Sequence, residues 1–306
     1  MKALVTGGAG FIGSHVVDRL IENNVETSVL VSGFRSLKHP SVVNENATII
    51  KGDLQGYDSL VDATKDVDVV FHLGGVFSHY VDKYPELAID VNITGTWKLK
   101  KACVLNGVKR IIYASSSFVY GDMNKIPVNE NDPTNPKDLL GITKISSEKI
   151  LQSTYPDKIE YTILRLFNTY GTRQYPDDLY TSVLSTWIKR ALDGKSLVIH
   201  DDGTQSLDFV YVGDAADAFI SAMGERAENQ VFNVGSGTST TMNELVELVY
   251  ELTGNEAPSL YNPSHPMFLK HVQADIGKIK SYLGWSPKVG MKEGLRKTVD
   301  FFRENL

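Results

Sequence analysis

Three glycines near the start of the chain have the spacing of a phosphate-binding turn. Residues 3–13 read ALVTGGAGFIG, so Gly7, Gly10 and Gly13 follow an apolar strand and open an amphipathic helix. Glycine permits the tight turn, lets backbone amides approach a pyrophosphate, and lets the helix pack close to the strand. The helix N-terminus adds unpaired N–H groups and the positive end of the helix dipole. The pattern predicts a site for NAD or NADP, against the alternative of a glycine-rich turn without a ligand.

The segment after the second predicted strand bears on which of the two cofactors binds. An NAD site usually has Asp or Glu about 20 residues beyond the glycines, where the carboxylate binds the ribose 2′-hydroxyl. This chain reads VLVSGFR at 29–35 and has no acid there. Ser32 and Arg35 could instead receive a 2′-phosphate, although Arg35 could equally be a solvated surface residue. The residues leave NAD and NADP open and favour NADP slightly.

The elements that must position this turn alternate between strands and helices. Strands separated by helices form right-handed βαβ units, which predicts an α/β fold with a Rossmann-type, doubly wound parallel sheet. The predicted strands are Ala3–Thr6, Thr27–Val31, Ala47–Lys51, Val67–Leu73, Val108–Ala114 and Glu160–Leu166. The predicted helices are Gly13–Asn23, Glu86–Asn106, Asp138–Thr154, Met242–Leu252, Ile276–Leu283 and Met291–Asn305.

The rhythm of the chain changes after Leu166, where glycine and proline become more frequent and the apolar segments shorten. We therefore predict a dinucleotide-binding domain over 1–166 and a smaller, partly interleaved α/β substrate domain over 167–206 and 235–306. Segments near 207–234 are expected to return to the first domain. In particular, the runs Leu207–Val212 and Val231–Val234 are expected to join the main sheet.

Composition excludes several classes of protein. The 306 residues carry a net charge of −6, which argues against a nucleic-acid or membrane-surface partner because both favour a basic face. Cys103 is the single cysteine, so an intrachain disulfide and a cysteine-based zinc site are excluded, and the histidines have no metal-ligand spacing. A strand that begins at Lys2 leaves no room for a signal peptide, and no apolar run reaches membrane-spanning length. We expect no metal and a cytoplasmic location.

Short motifs follow one another along nearly the whole chain. They are TGGAGFIGSH at 6–15, GDL at 52–54, HLGG at 72–75, VNITGT at 91–96, YASSSFVYG at 113–121, LRLFNTYG at 164–171, DFVYVGDAADA at 208–218 and FNVGSG at 232–237. In this order they resemble the extended short-chain dehydrogenase/reductase family, specifically the nucleotide-sugar epimerase and dehydratase group that includes the UDP-glucose 4-epimerases. The resemblance implies an enzyme that acts on a nucleotide sugar or another small molecule by transient hydride transfer with NAD(P).

The resemblance also implies roles for individual residues. Asn92 would support the active-site backbone, Ser116 would be the catalytic hydroxyl, and Lys144 would bind the nicotinamide ribose. Asp53 and Leu54 would flank the adenine. The residues implied to contact the cofactor are Gly7, Gly10, Phe11, Ile12, Gly13, Ser32, Arg35, Asp53, Leu54, Leu73, Gly74, Gly75, Asn92, Ser115 and Lys144. The residues implied on the substrate side are Ser117, Asn168, Arg173, Leu207 and His265. The helices at 86–106 and 138–154 resemble those of a family homodimer interface.

One position departs from the family in a way that affects the chemistry. The family has a tyrosine four residues before the lysine, so both lie on one helix face and the ammonium lowers the pKa of the phenol. Here that position is Leu140, which has no ionisable group. His79 and Tyr80, in the loop after the fourth strand, could act as substitute bases, or could be ordinary loop residues.

Further departures concern the diphosphate and the reaction subclass. The family often has an arginine where this chain has Leu207, and a second arginine aligns with His265. Without these two guanidinium groups a bidentate grip on a diphosphate would be weaker. Ser117 and Phe118 replace the Asp-Glu pair of 4,6-eliminating dehydratases, which argues against that subclass.

Three hypotheses follow. The first is a nucleotide-sugar epimerase or dehydratase-type oxidoreductase with a non-standard base. The second is a carbonyl reductase or dehydrogenase acting on a substrate without a nucleotide. The third is a catalytically degenerate protein that binds the cofactor and serves as a regulatory or partner module. The first is preferred because Asn92, Ser116, Lys144 and Asn168 are all retained.

Overall fold

The computed structural model describes residues 1–32, 43–77, 79–123, 125–154, 158–176, 182–263 and 270–306. Its strands are short, and most lie within a residue or two of the predicted segments. In chain order they are β1 Lys2–Thr6, β2 Glu26–Val31, β3 Thr48–Lys51, β4 Val69–His72, β5 Arg110–Ser116, β6 Glu160–Leu166, β7 Asn168–Tyr170, β8 Val198–His200, β9 Ser206–Leu207, β10 Phe209–Tyr211, β11 Gln230–Val234, β12 Thr240–Thr241 and β13 Leu260–Asn262.

Seven of the strands in the described residues form one parallel sheet in the order β11-β6-β5-β4-β1-β2-β3. The order reverses between β1 and β4, as in a doubly wound sheet, so a crevice opens at the carboxyl ends of these two strands. Every residue of β4 and β5 is buried, because both faces of the central strands are covered. The predicted Rossmann-type fold is confirmed.

Helices cover the two faces of the sheet. They are α1 Phe11–Glu22, α2 Tyr57–Ala63, α3 His79–Lys83, α4 Pro85–Ala88, α5 Gly95–Leu105, α6 Leu139–Gln152, α7 Val183–Leu192, α8 Val212–Ser221, α9 Met242–Thr253, α10 Gly277–Leu283 and α11 Met291–Asn305. Neighbouring residues of a strand point to opposite faces. Accordingly, Val5 packs in the cluster under α1 and α8, whereas Leu4 packs in the cluster under α2, α5 and α6.

The predicted helix Glu86–Asn106 is present but is not one regular α-helix. A π-helical segment, Ile89–Thr94, separates α4 from α5. Such wider turns often occur at functional sites. Here the segment carries Asn92, which is buried.

The prediction for Leu207–Val212 is wrong, although Val231–Val234 does join the main sheet as part of β11. Phe209–Tyr211 instead pairs with Asn168–Tyr170 in a separate two-stranded sheet. The physical reason is that β11 takes the edge of β6 along Thr162–Leu166, whereas Phe209–Tyr211 pairs with the segment that directly follows β6 in the chain.

The C-terminal part has a hydrophobic cluster of its own. It is built mainly from α7, α9 and α11 and includes Trp187, Leu245, Val249 and Phe302. The boundary predicted at residue 166 stays a prediction. Among the helices described, none combines the length and the apolar character needed to cross a bilayer.

Candidate active site

The glycine turn between β1 and α1 is closed by backbone contacts. Gly7 has a φ of +73°, and a Cβ atom there would lie 2.7 Å from the amide nitrogen of Gly74. A Cβ on Gly13 would lie 2.1 Å from the carbonyl oxygen of Gly7. The amide of Gly10 donates a hydrogen bond of 2.9 Å to that same oxygen. Larger residues at positions 7 and 13 would therefore force this turn open.

The N-terminus of α1 fits an anionic group. The helix begins at Phe11 and continues through Ile12, and its N-cap, Gly10, offers no side chain to accept from the first amides. The first turn also carries no acidic residue. These unpaired N–H groups and the helix dipole suit the pyrophosphate of a dinucleotide. The turn thus fits the cofactor that its sequence predicts.

A buried histidine links the glycine turn to the neighbouring strand and helix. His72 Nδ1 lies 2.8 Å from Thr6 Oγ1, and Nε2 lies 2.9 Å from Thr96 Oγ1. Burial, with the nearby charge of Lys144, lowers the pKa of His72 to about 3. His72 is therefore uncharged near neutral pH and acts as a brace. His72 was not among the residues predicted for the site, although it directly precedes Leu73 in the HLGG motif.

Asn92, on the π-helical segment, holds the chain just after β4. Its Oδ1 accepts from the amide of Val76 at 2.7 Å, and its Nδ2 donates to the carbonyl of Val76 at 2.9 Å. Nδ2 also donates to Thr143 Oγ1 on α6, at 3.0 Å. A Cβ on Gly75 would lie 2.9 Å from Asn92 Oδ1, so this loop passes close to the amide. Asn92 thereby ties the loop after β4 to α6.

The predicted adenosine side is only partly described. Asp53 Oδ1 accepts from the amide of Gln55 at 2.8 Å. Leu54 is buried and lies beneath Gly74. Ser32 lies just beyond β2 and has a partner of its own. Arg35 lies outside the described residues, so the preference for NADP stays a prediction.

Two serines, Ser115 and Ser116, end β5 in different surroundings, and a third, Ser117, begins the helix that follows. Ser115 Oγ donates to Glu148 Oε1, and Glu148 in turn accepts two hydrogen bonds from the Arg165 guanidinium, at 3.0 and 2.8 Å. Ser116 Oγ accepts from the amide of Phe118 at 3.3 Å, at the start of the 3₁₀ helix Ser117–Tyr120. Ser116 and Ser117 are both buried. The hydroxyl of Ser115 is thus bound to a structural ion pair.

Lys144 lies at the same edge of the sheet. Its Nζ donates to the carbonyl oxygen of Ala114 at 2.7 Å and lies 5.0 Å from the centroid of the Tyr113 ring. Burial lowers the pKa of Lys144 to about 8, although Glu148 acts in the opposite direction. The same burial raises the pKa of Tyr113 well above its ordinary value.

Leu140, one helical turn before Lys144, is part of an apolar cluster. It is 6% exposed and packs with Val76, Val81 and Ala88. Tyr80, on α3, packs against this cluster, and its ring lies 5.5 Å from that of Tyr84. The side chain of His79 lies outside the described residues. The role of His79 or Tyr80 as a substitute base stays a prediction.

The residues predicted on the substrate side do not all lie together. Asn168 Nδ2 donates to the carbonyl of Asp208 at 3.1 Å, and Leu207 packs between apolar clusters. Arg173 instead extends to α1, where its guanidinium pairs with Asp18 at 2.7 Å. His265 lies outside the described residues. Their contacts with a substrate stay predictions.

Asp208 is an anchoring residue that was not among those predicted from the sequence. Its carboxylate is fully buried and accepts from the amides of Ser236, Gly237 and Ala274 and from the hydroxyl of Ser236, at 2.6 to 3.0 Å. Burial raises its pKa. The signal was its place at the start of the DFVYVGD motif. Among the described residues, no group of acidic, histidine or cysteine side chains could hold a metal ion.

Comparison with known proteins places this site in a family. The family model described as "NAD dependent epimerase/dehydratase family" matches residues 3–235. The chain belongs to this epimerase/dehydratase family. A putative UDP-glucose 4-epimerase of Methanocaldococcus jannaschii is 37% identical, over 99% of this chain and 98% of that protein.

Solved structures of similar proteins extend the likeness to the fold. A UDP-glucose 4-epimerase from Thermotoga maritima, solved with UDP-glucose, is 35% identical with a TM-score of 0.92 and covers 99% of both chains. A UDP-glucose 4-epimerase from Thermus thermophilus, solved with NAD, is 30% identical with a TM-score of 0.90 and covers 100% of both.

These findings decide between the three hypotheses. The epimerase/dehydratase chain is an enzyme of the nucleotide-sugar type that binds NAD(P) and takes a small-molecule substrate. They favour this interpretation over a reductase acting on a substrate without a nucleotide and over a catalytically degenerate partner protein. The base that replaces the tyrosine at position 140 is a separate matter.

Proposed function

We propose that this epimerase/dehydratase inverts one hydroxyl-bearing carbon of a UDP-sugar, with NAD held between the glycine turn and the carboxyl edge of the sheet. The observation that carries the proposal is the position of Ser116 and Lys144 at the end of β5, beside the β4 loop that packs onto the turn. A glycine turn serves many dinucleotide-binding enzymes, whereas a serine and a lysine at this edge are suited to a substrate hydroxyl.

In this proposal the residues of the chain bind and orient the two reactants. The turn from Gly7 to Gly13 holds the pyrophosphate, and Asp53 lies at the adenosine end. The Nζ of Lys144 binds the nicotinamide ribose, and the hydroxyl of Ser116 hydrogen-bonds the reacting sugar hydroxyl. When bound, the nicotinamide supplies a reversible acceptor for the hydride of the sugar carbon.

The choice of NAD over NADP is part of the proposal. It is supported by the description of the family as NAD dependent and by the NAD in the T. thermophilus relative. Ser32 and Arg35 favoured NADP instead. Calorimetric titration of cofactor-free protein is expected to give the lower Kd with NAD, and tighter binding of NADP would overturn this choice.

The reaction is tested with purified enzyme and a panel of UDP-hexoses and UDP-hexuronic acids. We expect one sugar to be converted to its epimer, detected by chromatography and NMR, without added cofactor beyond NAD. Conversion to a product lacking a carboxyl group would indicate a decarboxylase. No conversion of any member, and no binding of UDP by calorimetry, would contradict a UDP-sugar substrate.

We also propose a homodimer through α5 and α6. The proposal is supported by Trp97 on α5 and Ile142 on α6, which are 47% and 44% exposed. Large apolar side chains at such exposure are common at interfaces. Trp97→Glu with Ile142→Glu is expected to halve the mass measured by light scattering. An unchanged mass would exclude this face as the dimer interface. The cytoplasmic location stays a prediction.

A further inference from the structure

Because Leu140 occupies the position of the family's tyrosine, another group must accept the proton of the substrate hydroxyl. We propose that Lys144 itself is this acid and base in the reaction, a proposal that rests on the proposed function above. The role differs from holding the ribose and from lowering the pKa of a neighbouring phenol, because here the amine gains and loses a proton in each half of the reaction.

The position of Lys144 favours this role. Its Nζ is bound to the carbonyl of Ala114, and the parallel register pairs Tyr113 of β5 with His72 of β4. Ala114 therefore lies beside Leu73, at the start of the loop that packs against Gly7. The amine is thus held at the crevice edge, near the end of the strand that carries Ser116.

The surroundings of Lys144 disfavour its charged form. Among the described residues, no carboxylate lies within salt-bridge distance of Nζ. Glu148, one turn later on α6, has both oxygens bonded to Arg165 and one also to Ser115. An ammonium buried without a paired anion loses protons more readily than one in water. Burial accordingly brings the pKa of Lys144 down to about 8.

The other titratable groups around Lys144 are less suited to the task. His72 on β4 is braced on both ring nitrogens, and its pKa is lowered to about 3. Burial raises the pKa of Tyr113 on β5 far above neutrality. From α3 and α4, Asp82 and Glu86 are exposed to solvent. Tyr80 and His79 are the two other candidate bases, and the side chain of His79 lies outside the described residues.

The step balances with groups already named. The uncharged amine of Lys144 takes the proton of the sugar hydroxyl, so an O–H bond breaks and an N–H bond forms. The electron pair of the O–H bond becomes the second bond of the new carbonyl, while the C–H pair leaves as hydride to oxidised nicotinamide. In the return half, the hydride attacks the other face of the carbonyl and the ammonium gives its proton back.

The first test is the pH dependence of sugar oxidation in a single turnover, followed by the absorbance of reduced nicotinamide. A base must be uncharged to act, so the wild-type rate is expected to rise with pH through an inflection near pH 8, the pKa of Lys144. Lys144→Arg keeps the cation and loses the titration, and is expected to lower the rate by about 10²–10⁴-fold. Tyr80→Phe should keep the wild-type profile.

A second pair of variants separates a lost proton acceptor from a lost ribose contact. In Lys144→Arg, adding Leu140→Tyr restores a phenol beside a cation and is expected to recover part of the rate. Adding Leu140→Phe supplies similar bulk without an ionisable group and should recover none. Equal recovery by both would overturn the proton role, as would a Lys144→Arg enzyme that keeps its rate.

A third readout needs neither substrate nor turnover. An amine with a lowered pKa in the folded state destabilises the fold below that pKa, and this cost disappears as pH rises toward the unfolded value near 10.4. The difference in Tm between Lys144→Met and wild type should therefore shift in favour of wild type between pH 7 and 10. A constant difference would overturn the proposal. If wild type converts no sugar, the proposed function fails, whereas conversion without an inflection defeats only this inference.

Discussion

The two sides of the crevice are built by different means. The glycine turn depends on close backbone contacts, with Gly7 and Gly13 positioned where any Cβ would collide with backbone atoms. The side at the end of β5 is one stripe of α6, on which Leu140, Lys144 and Glu148 follow at four-residue intervals and are all buried. A backbone contact tolerates little change, whereas a helix stripe can exchange one side chain and keep the rest. The difference accounts for a chain that has the complete glycine turn together with a leucine at position 140.

The largest effect is expected from removing the ion pair between Glu148 on the α6 stripe and Arg165. Glu148→Gln leaves the guanidinium of Arg165 without a charge partner in a place closed to water, because the side chains of Glu148 and Arg165 are only 0% and 6% exposed. Losing one partner of a buried pair costs about 3–5 kcal/mol. Urea unfolding should show this loss, with the exposed Glu247→Gln as control. A loss as small as that of the control would mean that the stripe tolerates change everywhere.

The next largest effect is expected from a change in the glycine turn. Gly13→Ala drives a methyl group into the carbonyl of Gly7 and should displace the amides that face the pyrophosphate. A misplacement of about 1 Å can lower a catalytic rate by about 10²-fold, and we expect calorimetry to show a similar loss in the affinity for NAD. At Gly290 nothing lies within 4 Å of an added Cβ, so Gly290→Ala should bind normally. Equal affinity of the two variants would refute a backbone-closed turn.

A smaller effect concerns His72, which braces the turn to α5. Its pKa in the fold is about 3, below the value near 6.5 of an unfolded histidine, so protons bind the unfolded chain first as pH falls. The stability that the uncharged His72 ring contributes above pH 6.5 is therefore lost as the pH falls toward 3, by up to about 1.4 kcal/mol per pH unit. His72→Asn should reduce the slope of the unfolding free energy against pH between pH 6 and 5. An unchanged slope would mean that other groups cause this pH dependence.

The smallest effect tests the tolerance of position 140. Leu140→Met keeps the volume and apolar character of the side chain in its cluster with Val76 and Val81. Such exchanges usually cost less than about 1.5 kcal/mol. NAD affinity should be unchanged, because the glycine turn makes no use of this side chain. A large loss of affinity would show that the two sides of the crevice are not independent.

Part of the fold could be predicted from the sequence, and part could not. The strand Glu160–Leu166 and the helix Met291–Asn305 have the predicted bounds, because local burial patterns determine such elements. The π-helical turn at Asn92 was not predictable, because it leaves the apolar spacing nearly unchanged. Pairing of Phe209–Tyr211 depends on which strand edge is still vacant, which no local pattern records.

The candidate site divides in the same way. The glycines were identified from their spacing, since each has a task in the backbone. The bond from Ser115 to Glu148 and the four donors on Asp208 join residues far apart in the chain, so only the fold brings them together. Motifs flagged these segments but could not say which side chain binds which.

The packing of Gly7 against Gly74 has a consequence for the newly made protein. The two glycines are separated by more than sixty residues, and the contact joins the ends of β1 and β4. A nascent chain that has emerged only as far as α2 contains every glycine of the turn but lacks the wall that shapes it. Capture of the cofactor during synthesis must wait until β4 has left the ribosome, and from then on bound cofactor would hold the two strands together while the remaining chain is made.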